Sequence, residues 1–370
     1  MRKCQVFMMC LICAILFACG TYSQDLVTLT PIPSDTPTPV PTGLPLLMRE
    51  PTFTSTPTTI STIWSGSLPG GEYAQIAEGL VEDIAIAPNG LTLAVTWTSG
   101  VILYRLDTFE RLWGRALDSK IRRLSFFPDG NTLAVGTETN IIALDTTTGN
   151  QITTFKRSID YVNSLAFSPD GKTIAVGSQG GILLVDAKTG NIVHLLDGEV
   201  TGVCVTFSPD GKLLASSSME NSTIIWDMAS GKQIRSFTGY RSSLSFSPDG
   251  KILAILLDGG IALVDMRSGQ RLLFVKSSDI LLSRIAFSPD GKRFASTSDD
   301  GTIILRDVTT GKILNQFSNP SKMITHVFFT PDGEKIISNT DVLPGTGDGN
   351  VSVWDIVTGK KLLNLGPFSG

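Results

Sequence analysis

The side chains with the means to do chemistry in this 370-residue chain are few. His194, in Ile192-Val193-His194-Leu195, and His326, in Thr325-His326-Val327, are the two histidines, and neither has a second ligand at metal-binding spacing beside it. Cys204 is the single cysteine after Cys19. A catalytic thiol needs an exposed, electropositive setting, whereas Val203-Cys204-Val205 reads as the interior of an apolar strand. Asp170, in Ser168-Pro169-Asp170-Gly171, and the pair Asp299-Asp300 could act as acids or ligands, but an aspartate in a tight turn normally bonds its own backbone. The chain also lacks a Gly-x-Ser-x-Gly elbow, a His-Glu-x-x-His pair and a phosphate-binding glycine loop. The inventory predicts a noncatalytic protein with no cofactor and no metal centre.

The elements that carry these residues are repeated. In AFSPDGKTIAVGS, from Ala166 to Ser178, Pro169 sets φ for the second position of a turn and Gly171 tolerates positive φ, so two short apolar strands must reverse there. The same turn recurs at Pro88, Pro128, Pro209, Pro248, Pro289 and Pro331, and successive prolines are 40, 41, 40, 39, 41 and 42 residues apart. An apolar run ending in Asp follows each of the last five turns, as in Ile225-Trp226-Asp227 and Val353-Trp354-Asp355. A Thr/Ser-Gly pair then precedes another apolar run, as at Thr310-Gly311 before Lys312-Ile313-Leu314. Each unit reads as four strands separated by three turns, a period that suits one propeller blade.

On these residues the chain resembles the WD-repeat β-propeller family, from about Glu72 to the C-terminus. The resemblance implies an all-β fold, a seven-bladed β-propeller of four-stranded antiparallel blades over residues 72–370. It departs from the family in having no Gly-His pair before the first strand, so apolar packing is expected to outweigh the family's polar network. Lys360-Lys361-Leu362-Leu363-Asn364-Leu365 is expected to supply the outer strand of the last blade, with Glu72 to Ala77 packing nearby. Propellers of this family bind partners on the loops at the ring's mouths. On the face of the second-to-third-strand loops and the interblade loops, the candidate protein-binding residues are Lys120, Arg122, Asp160, Tyr161, Glu199, Glu220, Tyr240, Arg241, Asp279 and Lys322. Tyr and Arg are the types that most often anchor interfaces. The alternative reading is a small molecule or metal ion held at the central channel. The long stretch NTDVLPGTGDGN, with Asp341, Asp348 and Asn350 as oxygen donors, leaves a weak calcium site conceivable, with ordinary loop growth the simpler account.

Before the ring, Arg2 and Lys3 precede an apolar run from Val6 to Ala18, the pattern of a secretory signal over 1–18 and short for a membrane span. Leu16-Phe17-Ala18-Cys19 resembles a bacterial lipobox, which would make Cys19 the lipidated first residue of the mature chain. Plain secretion or an uncleaved anchor are the alternatives. Within 19–71, the Thr-, Pro- and Ser-rich segment reads as a semi-rigid, solvated spacer. The chain carries 30 basic and 34 acidic residues, net −4, and loss of Arg2 and Lys3 with the signal makes this 28 against 34, or −6. A mildly acidic surface disfavours nucleic acid as a partner. The expectation is therefore a monomeric, extracytoplasmic, lipid-anchored propeller that binds protein partners.

Overall fold

The computed structural model describes residues 81–97, 100–156, 161–196, 202–218, 222–238, 243–257, 259–277, 282–318, 323–340 and 350–365. In the first blade, β1 (Val81–Ile86), β2 (Thr92–Trp97), β3 (Gly100–Arg105) and β4 (Arg111–Ala116) pair antiparallel in chain order. Six more sheets of the same order follow over 121–156, 164–196, 202–238, 244–276, 282–318 and 324–365. The protein is thus an all-β, seven-bladed β-propeller of four-stranded antiparallel blades, as the repeat predicts. Among the described residues no helix is long and apolar enough to cross a membrane.

The turns are built by the residues that announce them. The Gly171 N–H donates to the Ser168 carbonyl at 2.8 Å. Asp170 Oδ1 accepts from Ser168 Oγ at 2.6 Å and from the Lys172 N–H at 3.1 Å, and these bonds hold its carboxyl below the usual carboxylate range. Asp170 is therefore turn cement rather than an acid. The third turn repeats the logic, with Asp186 Oδ1 accepting from the Thr189 N–H and hydroxyl. The first blade departs from it. Where the other blades have a left-handed glycine, Phe109 adopts φ 56° and is buried between the first and last blades.

Seven apolar clusters form the core, and each is shared by two neighbouring blades. The strand pattern explains why. The second and third strands are buried on both faces, as in Thr92–Trp97 and Gly100–Arg105, so each needs a neighbour on either side. Two further tiers join the blades. A Cβ placed on the Gly211 turn would lie 3.2 Å from Pro169 Cδ of the preceding blade, and one on Gly90 would lie 2.8 Å from Pro331 Cγ of the last blade. At the rim, outer-strand side chains reach the third turn of the next blade. Trp113 Nε1 donates to the Thr146 carbonyl at 2.7 Å, and the His194 ring covers Gly231.

Lys361–Leu365 is the outer strand of the last blade, as expected. Glu72 to Ala77 lies outside the described residues. Of the family's polar network, two contacts persist in the blades that carry Trp-Asp. Trp226 Nε1 donates to Ser216 Oγ at 2.8 Å and Trp354 Nε1 to Ser338 Oγ at 3.0 Å.

The Gly-Pro tier yields a test. Gly171→Ala meets only the left-handed backbone penalty, about 1–2 kcal/mol, because its Cβ would sit 3.6 Å from Pro128. Gly90→Ala adds a clash with the rigid Pro331 ring at the junction of first and last blades. Chemical denaturation should show Gly90→Ala as the more destabilised variant, and equal losses would mean that the Gly90–Pro331 approach is not tight.

Candidate functional site

Lys120, Arg122 and Tyr161 are the predicted face residues that fall within the described chain. Asp160, Glu199, Glu220, Tyr240, Arg241, Asp279 and Lys322 lie outside it, as do Cys19, the boundaries 1–18 and 19–71, and the stretch 341–349. Lys120 is exposed just before the inner strand of the second blade. Arg122 and Tyr161 come together. The Arg122 guanidinium stands 5.4 Å from the Tyr161 ring centroid and its Nη2 is 3.1 Å from Glu138 Oε1. The Glu138 carbonyl in turn accepts from the Tyr161 N–H at 3.2 Å. Tyr161 has φ 53°, unusual for a bulky residue, and the residue is 44% exposed. A strained backbone thus holds an aromatic ring outward beside a half-exposed guanidinium.

A second constellation lines the central channel, a cavity of about 590 Å³. The residue five before each turn proline lies on its wall: Asp83, Arg123, Ser164, Cys204, Ser243, Arg284 and His326. In blades one, two, four, six and seven this residue follows a register shift in the inner strand. Asp83 pairs with Thr96, one residue before the end of β2, so the ring sits at the channel mouth on the side of the second-to-third-strand loops. It shares that side with Arg122 and Tyr161.

Charge is unevenly distributed around this ring. Arg284, His326, Asp83 and Arg123 occupy blades six, seven, one and two, a continuous arc across the junction of first and last blades, while Ser164, Cys204 and Ser243 fill the other three. Asp83 accepts from the Ile84 N–H with Oδ1 and from the Leu124 N–H of the next blade with Oδ2, both at 2.8 Å. His326 Nε2 lies 3.2 Å from Asp83 Oδ1 and 3.4 Å from Arg284 Nη2, and Nδ1 lies 3.2 Å from Thr325 Oγ1. Arg123 donates from Nε to the Asn163 carbonyl at 2.6 Å and from Nη1 to the Arg122 carbonyl at 2.7 Å.

Burial first, then the Arg284 and Arg123 charges, holds the His326 imidazole well below its ordinary range. The ring is neutral at pH 7, so the Asp83–His326 contact is not an ion pair; Nε2 faces both Asp83 Oδ1 and the donor-only Arg284 Nη2, and the tautomer decides which of the two it bonds. Burial pushes the Asp83 carboxyl up, opposed by Arg123, the Leu124 N–H, Arg284 and the Ile84 N–H. Burial also lowers Arg284, although part of its surface is open; that opening is the channel itself. Among the described residues no group of three His, Cys, Asp or Glu side chains could hold a metal ion.

Two sequence expectations change here. Cys204 is half-buried and borders the channel rather than being sealed in the strand interior, because it stands at the register shift where the inner strand turns a side chain to the axis. His326 is structural in holding Asp83, but it also belongs to a charged cluster. Asp83, Arg123 and Arg284 are not apparent when each residue is weighed by its local neighbours. Aligning the seven units on their prolines exposes them as one column, with four ionisable side chains and a thiol among seven positions.

A group whose native pKa is depressed contributes stability above its unfolded pKa and loses it as pH falls. His326 should therefore destabilise the ring progressively below about pH 6.5, by at most about 1.4 kcal/mol per pH unit. Asp83 acts with the opposite sign, because its carboxyl is raised: the stability it contributes is fully present below the ordinary value of 3.8 and is lost as pH rises. Urea denaturation between pH 7.5 and 5.5 should show a shallower slope for His326→Gln than for the parent chain.

Comparison with known proteins agrees with this architecture. The family described as anaphase-promoting complex subunit 4 WD40 domain matches residues 90–163 and 244–332. The WD domain, G-beta repeat family matches 149–186, 190–227 and 311–355. An uncharacterized WD repeat-containing protein of Synechocystis is 34% identical over 110 residues, covering 29% of this chain and 31% of the relative. Transcription factor unc-37 of Caenorhabditis elegans is 28% identical over 50% of this chain and 31% of its own length. A guanine nucleotide-binding protein subunit beta of Oryza sativa is 27% identical over 41% of this chain and 43% of its own. The chain thus spans under half the length of these relatives. Together with seven four-stranded blades, these matches support the WD-repeat family for this chain.

Proposed function

We propose that this propeller is a noncatalytic protein-binding scaffold that meets its partner on the face of the second-to-third-strand loops. One observation carries the reading, the Arg122–Tyr161–Glu138 cluster. Arg and Tyr dominate binding hot spots, and here both are held by a rigid blade instead of being left to sample many rotamers. The exposed cation–π contact is worth only about 0.5–1 kcal/mol to the fold itself. Replacing these side chains should therefore disturb binding more than folding.

The scaffold works at the extracytoplasmic surface of a bacterial membrane, held through lipid on Cys19 and lifted by the Thr/Pro-rich spacer. The supporting features are the basic start, the short apolar run and the Leu16-Phe17-Ala18-Cys19 segment. Anchoring by several acyl chains is firm where one chain is marginal.

Affinity capture with the full chain should retain a protein partner, and Arg122→Ala with Tyr161→Ala should weaken it by about 2 kcal/mol, roughly 30-fold, with little change in melting temperature. Retention undiminished by the double variant would place the interface elsewhere. Cys19→Ser should move the protein from the membrane fraction to the soluble one and abolish acyl labelling. A variant that stays membrane-bound would refute the lipid anchor.

A further inference from the structure

Each blade ends in an outer strand whose far edge pairs with no other described strand. Such an edge offers unpaired backbone groups to any extended chain, and lysine or arginine along it keeps other chains off. The outer strands of the first, second, fourth, fifth and seventh blades all contain lysine or arginine, and that of the sixth carries Asn315 and Gln316 and begins next to Lys312. The third is different. Ile192–Leu196 has no charged residue and is apolar but for His194, whose ring turns to the next blade and covers Gly231. It is also open, with Val193 60% and Leu195 46% exposed. Val193 stands at the register shift between Ile192 and His194, and a bulge of this kind re-aims a side chain. Every outer strand has that shift, so the third blade is set apart by its missing charge alone. Ile152, at the same position of the second blade, adds a further exposed apolar side chain on the neighbouring outer strand.

We propose that a second copy of this chain covers the edge, the two Ile192–Leu196 strands lying antiparallel about a two-fold axis at His194. Val193 of each copy then meets Leu195 of the other. A two-fold contact sets a patch against itself, so it suits a strand without charge. An outer strand with lysine or arginine would bring like charges together in the same arrangement. A lipid surface suits the patch poorly, because interfacial segments carry basic and aromatic residues and this strand has neither arginine, lysine nor a tryptophan, tyrosine or phenylalanine. Five residues of strand span about 17 Å, a contact well short of the roughly 800 Å² per partner of a standard stable interface. The dimer is therefore weak and reversible. It uses the rim of the ring and does not rest on the Arg122–Tyr161 reading.

The experiment follows sedimentation of the full chain over a broad dilution series. A monomer–dimer equilibrium should appear and move toward monomer on dilution. Val193→Lys and Leu195→Glu should each raise the dimer dissociation constant by at least about tenfold, because an unpaired charge enters the contact. Mixing the two variants should restore association, since the antiparallel arrangement sets position 193 of one copy against position 195 of the other. Restoration on mixing separates a lost contact from a lost fold. Leu272→Lys, at the equivalent position of the fifth blade, should leave the equilibrium unchanged. A full chain that stays monomeric throughout, a dimer indifferent to both third-blade variants, mixed variants that fail to associate, or an equal loss in Leu272→Lys would each overturn the proposal.

Discussion

Everything in this structure depends on the inability of a single blade to bury its two faces. The middle strands of each sheet are apolar on both sides, as Leu133, Ala134 and Val135 or Leu253, Ala254 and Ile255 illustrate. Burying a leucine, valine or isoleucine side chain fully is worth about 1.5–3 kcal/mol, so leaving one face in water would forfeit much of a blade's driving force. Neighbouring blades must supply the missing surface, which is why each of the seven clusters straddles two sheets. A linear stack would still leave two faces bare at its ends. Closure into a ring removes them.

Closure also creates the channel and dictates what can line it. Seven inner strands meet the axis, and a register shift near the start of most of them turns one side chain per blade toward it. Such a shift disrupts the local ladder of backbone bonds, and the next amide needs an acceptor from elsewhere. The preceding blade supplies it in alternate units. Asp83 Oδ2 takes the Leu124 N–H, Ser164 Oγ the Val205 N–H and Ser243 Oγ the Ile285 N–H. The channel position is therefore a structural requirement in blades one, three and five. In two, four, six and seven it carries arginine, cysteine, arginine and histidine, of which Arg123 reaches the Asn163 carbonyl of the next blade and His326 meets Asp83 across the junction.

How much of this the sequence discloses follows from the same division. Turn residues act locally, so Ser168-Pro169-Asp170-Gly171 specifies its hairpin wherever it stands, and seven copies specify a propeller. The outer strand from Lys361 to Leu365 is legible for the same reason, being the fourth member of a unit already identified. The channel is not legible residue by residue, because Asp83 and His326 belong to the first and last blades, far apart in sequence, and are brought together only by closure. Nor does any local pattern announce Tyr161 at φ 53°, since the Glu138 carbonyl that fixes it belongs to a different strand connection. Arg122 and Tyr161 could be proposed as face residues from their loops, but their mutual contact could not.

The junction of first and last blades has a distinctive burden. All four strands of the last blade come from 324–365, so within the described residues no strand from the first part of the chain laces that blade shut. The junction is held by noncovalent contact at each radius. Phe109, Tyr104 and Ile337 lie in the apolar cluster, Gly90 abuts Pro331 on the turn side, and His326 meets Asp83 at the channel. The Phe109 substitution makes sense in this setting. Its left-handed backbone costs about 1–2 kcal/mol relative to glycine, and a fully buried aromatic side chain returns a comparable or larger amount. At the other six third turns the glycine abuts the outer strand of the blade that precedes it in the chain, and glycine suffices. Where the ring must close without one, an aromatic side chain takes the strained position and the charged arc sits directly over the junction, so the stability of closure and the electrostatics of the channel are set by the same few residues.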